Sequence, residues 1–471
     1  MNHSKADILL SQMNVYELNR LGKFLTSPYH NEDDKLVSLF NFLMPYYKAK
    51  KPRPERERIW GKVYGRQKYT NLKFARLLSD LLKKTETFMA VESMLHGGDS
   101  SLYILSRYNE IGLVHHFAEP YRAALQRIDK QPFRDSEYYF HSFRLNEQLN
   151  TNIESRKERN SEKHLAETIR SFDTYYLINK LRFSAALLHY RHFLNLSGAE
   201  STLLSEILQY LQRINIEVPI VDIYYHVVLT LIEPDQEQHF LKLKELLFAN
   251  AITLRLETQK EIFAFALNYC IRKINKGEAF YQSEIFQLYK DALQRGLMME
   301  NGVMTPWDYK NIVTIGLRNK EYDWTENFIE SYIDKLTKSE RQNAYTFNKA
   351  RYYFAIAKYD KVLELLQNVE YNDIFYLLDS KTTLMKTYYE LGEYQPLQSL
   401  KESFRILLRR KKVISEQNQS NYSNFARFAM KLYRADPKNK VKLSGLRKSI
   451  ESTANIADKT WIMEKLAQLG A

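Results

Sequence analysis

The sequence predicts an all-α chain built as an array of paired helices. Three observations carry this. First, apolar residues recur every three or four positions. Between Asn343 and Leu408 they fall at Phe347, Ala350 and Phe354, then at Val362, Leu365, Leu366 and Val369. That spacing lines one face of a helix and, after a break near Lys358-Tyr359, one face of a second. Second, the pattern returns: Leu384, Tyr388 and Leu391 precede Leu397, Leu400, Phe404 and Leu407, and Tyr359 and Tyr394 hold equivalent places 35 residues apart. A period near 34 made of two antiparallel helices marks stacked units that hide each other's apolar sides. Third, 471 residues include only 14 Gly and 11 Pro, too few for the turns of a hairpin-rich fold.

Met1 to about Leu95 reads as several short helices. The first full one, Val15 to Leu25, carries Tyr16, Leu18, Leu21, Phe24 and Leu25. Ser27-Pro28 ends it, because the residue before proline is pushed out of the helical region. Asn31 or Asp33 then suits the cap of the next helix, apolar at Leu36, Leu39, Phe40, Phe42, Leu43 and Tyr46. Pro54 suits the first position of another. Thr70 or Asn71 caps a long helix from Leu72 to about Leu95, with Phe74, Leu77, Leu78, Leu81, Leu82 and Phe88 on one side.

The paired glycines of "HGGDS" at 96–100 predict a boundary. This gives a basic helical module over 1–95, a divergent helical array over 96–300, and more regular repeats with a C-terminal cap over 301–471. Within the array, "NIESRKERNSEKHLAETIRS" predicts a helix with a wide solvated face. "INIEVPIVDIYYHVVL" is rich in β-branched residues, but Pro219 followed by Ile223, Tyr224, Val227, Val228 and Leu231 favours helix. Gly277 suits a C-cap. Tyr322, 37 residues before Tyr359, extends the period one step back.

Net charge is +13, and it is uneven. Lys48–Lys84 holds 13 basic and 3 acidic residues, and Lys401–Lys448 holds 14 and 3, so the remainder is net acidic. No run reaches the roughly 18 apolar residues of a membrane span, and the start lacks the pattern of a secretory leader. The one cysteine, Cys270, has no internal disulfide partner, which fits a reducing compartment. A cytoplasmic protein is expected.

From Asn343 the chain resembles the tetratricopeptide repeat. Ala350 matches the family's small residue of the first helix, Tyr353 its aromatic, and Ala357-Lys358-Tyr359 echoes its Gly-Asp-Tyr turn, with Val362 replacing the second small residue. In the next unit Gly392-Glu393-Tyr394 matches the turn better and Tyr388 the aromatic. There Met385 and Leu397 stand at the small positions and are expected to loosen the helix contact. The resemblance implies a superhelical solenoid whose groove takes a partner peptide or helix. It places Arg351, Lys386 and Tyr389 on first helices facing the groove, joined by Lys310. The family's usual Lys/Asn carboxylate clamp is not reproduced. The whole chain is also similar to bacterial helical-repeat proteins without an assigned activity, through "SPYHN", "WGKVYGRQKY", "YKNIVTIGL" and "NYSNFARFAMKLYR"; that likeness transfers no chemistry.

Catalytic and cofactor signatures are missing: "GKVYGRQK" has the wrong order for a phosphate loop, and neither G-x-S-x-G nor H-E-x-x-H occurs. No cofactor is expected. His189 and His192 on one helix face, with His226, are weighed as metal ligands against ordinary packing, without a supporting carboxylate pattern. His115-His116 point in different directions. Cys270 reads as a buried inert thiol rather than a reactive one. In the N-terminal basic stretch, a short helix, a turn and a longer helix bearing Lys73 and Arg76 imitate a helix-turn-helix. Arg53, Arg56 and Arg58 would then lie on phosphates; the bland reading is a solvated basic face. "RRKK" at 409–412 complements a helix dipole. The expected function is a non-enzymatic scaffold or adaptor holding a protein or peptide in its groove. The alternative is nucleic-acid or ribonucleoprotein binding through the two basic regions.

Overall fold

A computed structural model describes residues 4–96, 100–156, 162–194, 201–366, 374–410 and 415–470, apart from the side chains of 192–194, 375 and 410. The described residues form 23 α-helices and three short 3-10 turns. No strand forms among them. The one β-bridge, Glu300 with Val303, closes a tight turn at Asn301-Gly302, where both residues have positive φ. No described helix is long and apolar enough to cross a membrane. The chain divides into two compact units, Met1–Lys180 and Leu181–Ala471. Residues 97–99, at the boundary expected from the sequence, lie outside the described residues, as do Lys411 and Lys412 of "RRKK".

The first unit contains α1 (Lys5–Gln12), α2 (Val15–Thr26), α3 (Asp34–Lys48), α4 (Arg56–Tyr64), α5 (Asn71–His96), α6 (Ser100–Glu110), α7 (Ala118–Asp129) and α8 (Ser136–Ser155). Short polar side chains start several of them. Ser4 with Asp7 and Asn14 with Glu17 form capping boxes, and Asp33 caps α3 by accepting from the Lys35 amide. Pro54, expected at the first helical position, instead lies two residues ahead of α4, in extended chain that ends at Glu55. The predicted apolar stripes face inward: Leu18, Leu21, Leu25, Leu39, Phe40, Leu43, Ile59 and Leu81 are fully buried. The helix-turn-helix expected of α4 and α5 is not their main packing. α4 packs on α3, whereas α5 packs on α1, α2 and α3. A smaller core of Leu105, Phe117, Ala124, Ile128 and Leu145 holds α6 to α8.

Helix α9 (Glu162–Leu194) leads to α10 (Leu204–Arg213), α11 (Pro219–Ile232), α12 (Glu237–Ala249), α13 (Leu256–Asn275) and α14 (Phe280–Gln294). Pro219 opens α11 as expected. Then come α15 (Pro306–Arg318), α16 (Tyr322–Tyr332), α17 (Lys338–Ala355), α18 (Tyr359–Leu366), α19 (Ile374–Glu390), α20 (Tyr394–Arg410), α21 (Glu416–Tyr433), α22 (Lys440–Ser452) and α23 (Lys459–Gln468). From α15 to α21 each helix packs on the next. The alternate helices α15, α17, α19, α21 and α23 are also neighbours in one row.

The turns between paired helices recur in atomic detail. Tyr322, Tyr359 and Tyr394 each open the second helix of a pair, two residues after a left-handed residue: Lys320, Ala357 and Gly392, with φ of 59°, 57° and 73°. The next amide donates to the carbonyl five residues back, Glu321 to Gly316 at 3.0 Å, Lys358 to Tyr353 at 2.9 Å and Glu393 to Tyr388 at 3.0 Å. This is the Schellman closure, which satisfies carbonyls left open at a helix end. Gly277 and Glu278 close α13 in the same way. Equivalent positions in the three pairs are Val313 and Thr325, Ala350 and Val362, and Met385 and Leu397, and all six are fully buried. Met385 and Leu397, where loosening of the helix contact is expected, are both buried in one core cluster.

Candidate functional site

A cavity of about 510 Å³ opens along the row of alternate helices. α15 contributes Lys310, Asn311, Thr314 and Arg318, four residues of one helical face. α17 adds Phe347, Arg351 and Phe354, and α19 adds Asp379, Thr383 and Lys386. Tyr422 of α21 and the start of α23, with Asp458 and Trp461, complete the wall. Three sequence-predicted residues, Lys310, Arg351 and Lys386, thus come from three successive alternate helices to one groove.

Two of these cations are already paired. Lys310 donates to Asp379, and its ammonium lies 5.0 Å from the Trp307 ring and 5.6 Å from those of Phe347 and Tyr376. Tyr422 donates a second hydrogen bond to Asp379, at 2.7 Å. Lys386 donates to Asp458 at 2.7 Å and lies 4.6 Å from the Phe354 ring. Burial raises the Asp458 carboxyl, but the Lys386 ammonium and the Arg351 guanidinium more than offset it and hold the group below the usual carboxylate range. Asp458 sits at φ 46°, in the left-handed region. That conformation costs free energy in a non-glycine residue and turns the chain into α23.

Arg351 differs from both lysines. Its guanidinium donates to the Thr314 hydroxyl at 2.6 Å and lies 5.6 Å from the Phe347 ring. No carboxylate among the described residues is within ion-pair distance of it. Burial lowers its proton affinity, Asp379 and Asp458 work against that, and Arg318 adds to the lowering. Among the described residues the Thr314 hydroxyl is its one hydrogen-bond acceptor, so most of its five donors have no protein partner. Tyr389, the fourth predicted residue, does not line the groove. It packs edge-on against Tyr433 and Trp461, with centroids 5.7 and 5.2 Å away.

Asp379, Tyr422, Asp458 and Trp461 were not singled out from the sequence. Asp379 was within reach, seven residues before Lys386 and so on the same face of α19. Asp458 was not: its partner is 72 residues away.

In the first unit, Arg53 is committed to structure. It donates to Asp7 at 2.6 Å, and both side chains are less than a tenth exposed. Asp7 also accepts from the Tyr47 hydroxyl at 2.7 Å and from the Ser4 amide at 2.9 Å. Arg56, Arg58, Lys73 and Arg76 are exposed. The thiol of Cys270 is buried, and desolvation pushes it up to about 12.

His226 meets His239, not His189, with Nδ1 atoms 3.3 Å apart. Asp222 lies 3.4 Å from one ring and Glu233 3.4 Å from the other. His189 faces Phe265, and the side chain of His192 is outside the described residues. Among the described residues no three His, Cys, Asp or Glu gather as a metal site. No protein family, curated protein or solved structure matches the chain.

Proposed function

We propose that the second unit is a non-enzymatic binding module, a helical-repeat scaffold that grips an acidic segment of a partner protein in the groove of α15 to α23. The observation that carries this reading is Arg351, a half-buried cation without a carboxylate, set between two lysines that have one. A partner carboxylate would supply the direct ion pair that Asp379 and Asp458, acting on Arg351 only from beyond ion-pair distance, do not, and the faces of Phe347, Phe354 and Trp461 offer apolar anchorage beside it. The recurring turns and the row of alternate helices support the solenoid architecture that the tetratricopeptide resemblance implies.

Arg351→Met tests it, because it removes the charge and keeps the stem. Stability should hold or rise, since a desolvated cation gives way to an apolar side chain. Partner proteins captured by the native chain from nuclease-treated lysate should be lost. Capture of the same proteins by both chains refutes the groove.

The second reading is nucleic-acid binding by the first unit, favoured by Arg56, Arg58, Lys73 and Arg76, which are exposed and have no ion-pair partner among the described residues. Binding to RNA or duplex should then fall steeply with salt and vanish on charge reversal at Lys73 and Arg76. A flat salt dependence refutes it.

A further inference from the structure

We infer that the first unit holds a second binding site, a cleft between the start of α1 and α5 that takes a small amphiphile: an apolar chain or ring ending in one oxyanion, carboxylate or phosphate. The cleft encloses about 510 Å³, within the range of roughly 300–1,000 Å³ typical of small-molecule sites. Its long wall is one face of α5, where Phe74, Leu78 and Leu82 recur every fourth residue, and Ala6 of α1 closes the other side. Lys5, Arg53 and Arg56 form its basic part, and among the described residues no acidic side chain lines the cavity.

That charge is not balanced from within the cleft. Asp7 lies behind Arg53 and answers that guanidinium alone, leaving Lys5 and Arg56 without an ion-pair partner among the described residues. An apolar wall beside uncompensated cations matches a ligand whose one end is greasy and the other anionic. A nucleic-acid backbone would use the cations but leave idle Leu82, the most open of the three apolar side chains. A neutral apolar ligand would do the reverse. The site is independent of the groove in the second unit.

Calorimetric titration of the full chain with decanoate, decyl phosphate and decyltrimethylammonium, each below its micelle concentration, tests the inference. Decanoate or decyl phosphate should saturate at one per chain, and the stronger of the two names the head group. Decyltrimethylammonium should bind at least tenfold more weakly. Arg56→Ala, at an exposed position, should weaken the anion at least tenfold without moving the unfolding temperature. Ala75→Trp, also at an exposed lining position, should plug the cleft and abolish binding. Equal binding of the cationic amphiphile, unsaturable uptake, or full affinity in Ala75→Trp overturns the site. So does an acidic amphipathic peptide that binds where neither anionic amphiphile does.

Discussion

Gly316→Ala should destabilise the second unit, although alanine is the better helix former. Gly316 lies in α15 at the crossing with α16. A Cβ there would come within 3.0 Å of the Thr325 hydroxyl oxygen and 3.4 Å of its Cβ. Thr325 is fully buried, and its hydroxyl donates to the Glu321 carbonyl at 2.6 Å. It can turn away only by breaking that bond in a dry interface, or the helices must separate. Overpacking of this kind costs about 1–3 kcal/mol, and a buried hydroxyl left unpaired about 1–3 kcal/mol. The gain in helix propensity is about 1 kcal/mol. The net expectation is a loss of about 1–3 kcal/mol. Gly61→Ala in α4 is the control: a Cβ there meets nothing within 4 Å, so only the propensity gain of about 0.5–1 kcal/mol remains. Thermal and denaturant unfolding of both variants gives the comparison, and Thr325→Ala added to Gly316→Ala should recover stability through a positive coupling. If Gly316→Ala stabilises the chain as Gly61→Ala does, or if the double variant recovers nothing, the close crossing is refuted.

Acid should weaken the α11–α12 pair. Burial first, then His239 and Lys242, lower His226 from the ordinary 6.5 to about 4, against an opposing pull from Glu245. The folded chain therefore keeps His226 neutral while the unfolded chain takes up a proton, and stability falls as pH drops from about 6.5 towards 4. The loss is on the order of 1–3 kcal/mol. Burial raises Asp222, which gives a slope of the opposite sign near pH 4. His226→Phe should flatten the denaturation profile between pH 6.5 and 4, and an unchanged profile refutes the assignment. Asp7→Ala should cost about 3–5 kcal/mol in chemical unfolding, because it strands the Arg53 guanidinium in a buried site; a loss below about 1 kcal/mol refutes the pairing. Cys270 should resist a thiol-specific reagent at pH 8 in the folded chain and react at once on unfolding. Rapid labelling of the native protein would show that the thiol is reachable.

The helices were legible because their causes are local. The three-or-four spacing around Phe347, Leu397 or Leu81 needs only the helical period, and the closures at Lys320, Ala357 and Gly392 join groups five residues apart. Tyr322, Tyr359 and Tyr394 could therefore be aligned from the sequence, though Lys320 and Ala357 carry no glycine to announce their left-handed backbone. Pro54 was misplaced because several residues near a turn can open a helix equally well, and packing selects Arg56. The short helix, turn and longer helix expected there do form, but their main packing is a non-local choice, since α4 and α5 find their main partners among α1 to α3.

The candidate site divides along the same line. Lys310, Arg351 and Lys386 line one cavity because each sits on the inward row of its own helix, a property of position within a single element. Their chemistry was not readable there. Whether a cation is paired depends on carboxylates supplied from elsewhere, Asp379 for Lys310 across 69 residues and Asp458 for Lys386 across 72. Tyr389, only three residues from Lys386, turns instead into the Tyr433–Trp461 cluster. The sequence by itself determined the helices, their pairing and the faces they hide, because hydrogen bonds and apolar period act over a few residues. Only the tertiary structure decided which charges are neutralised and that Arg351 is not, because Coulomb and desolvation free energies depend on neighbours brought together by folding.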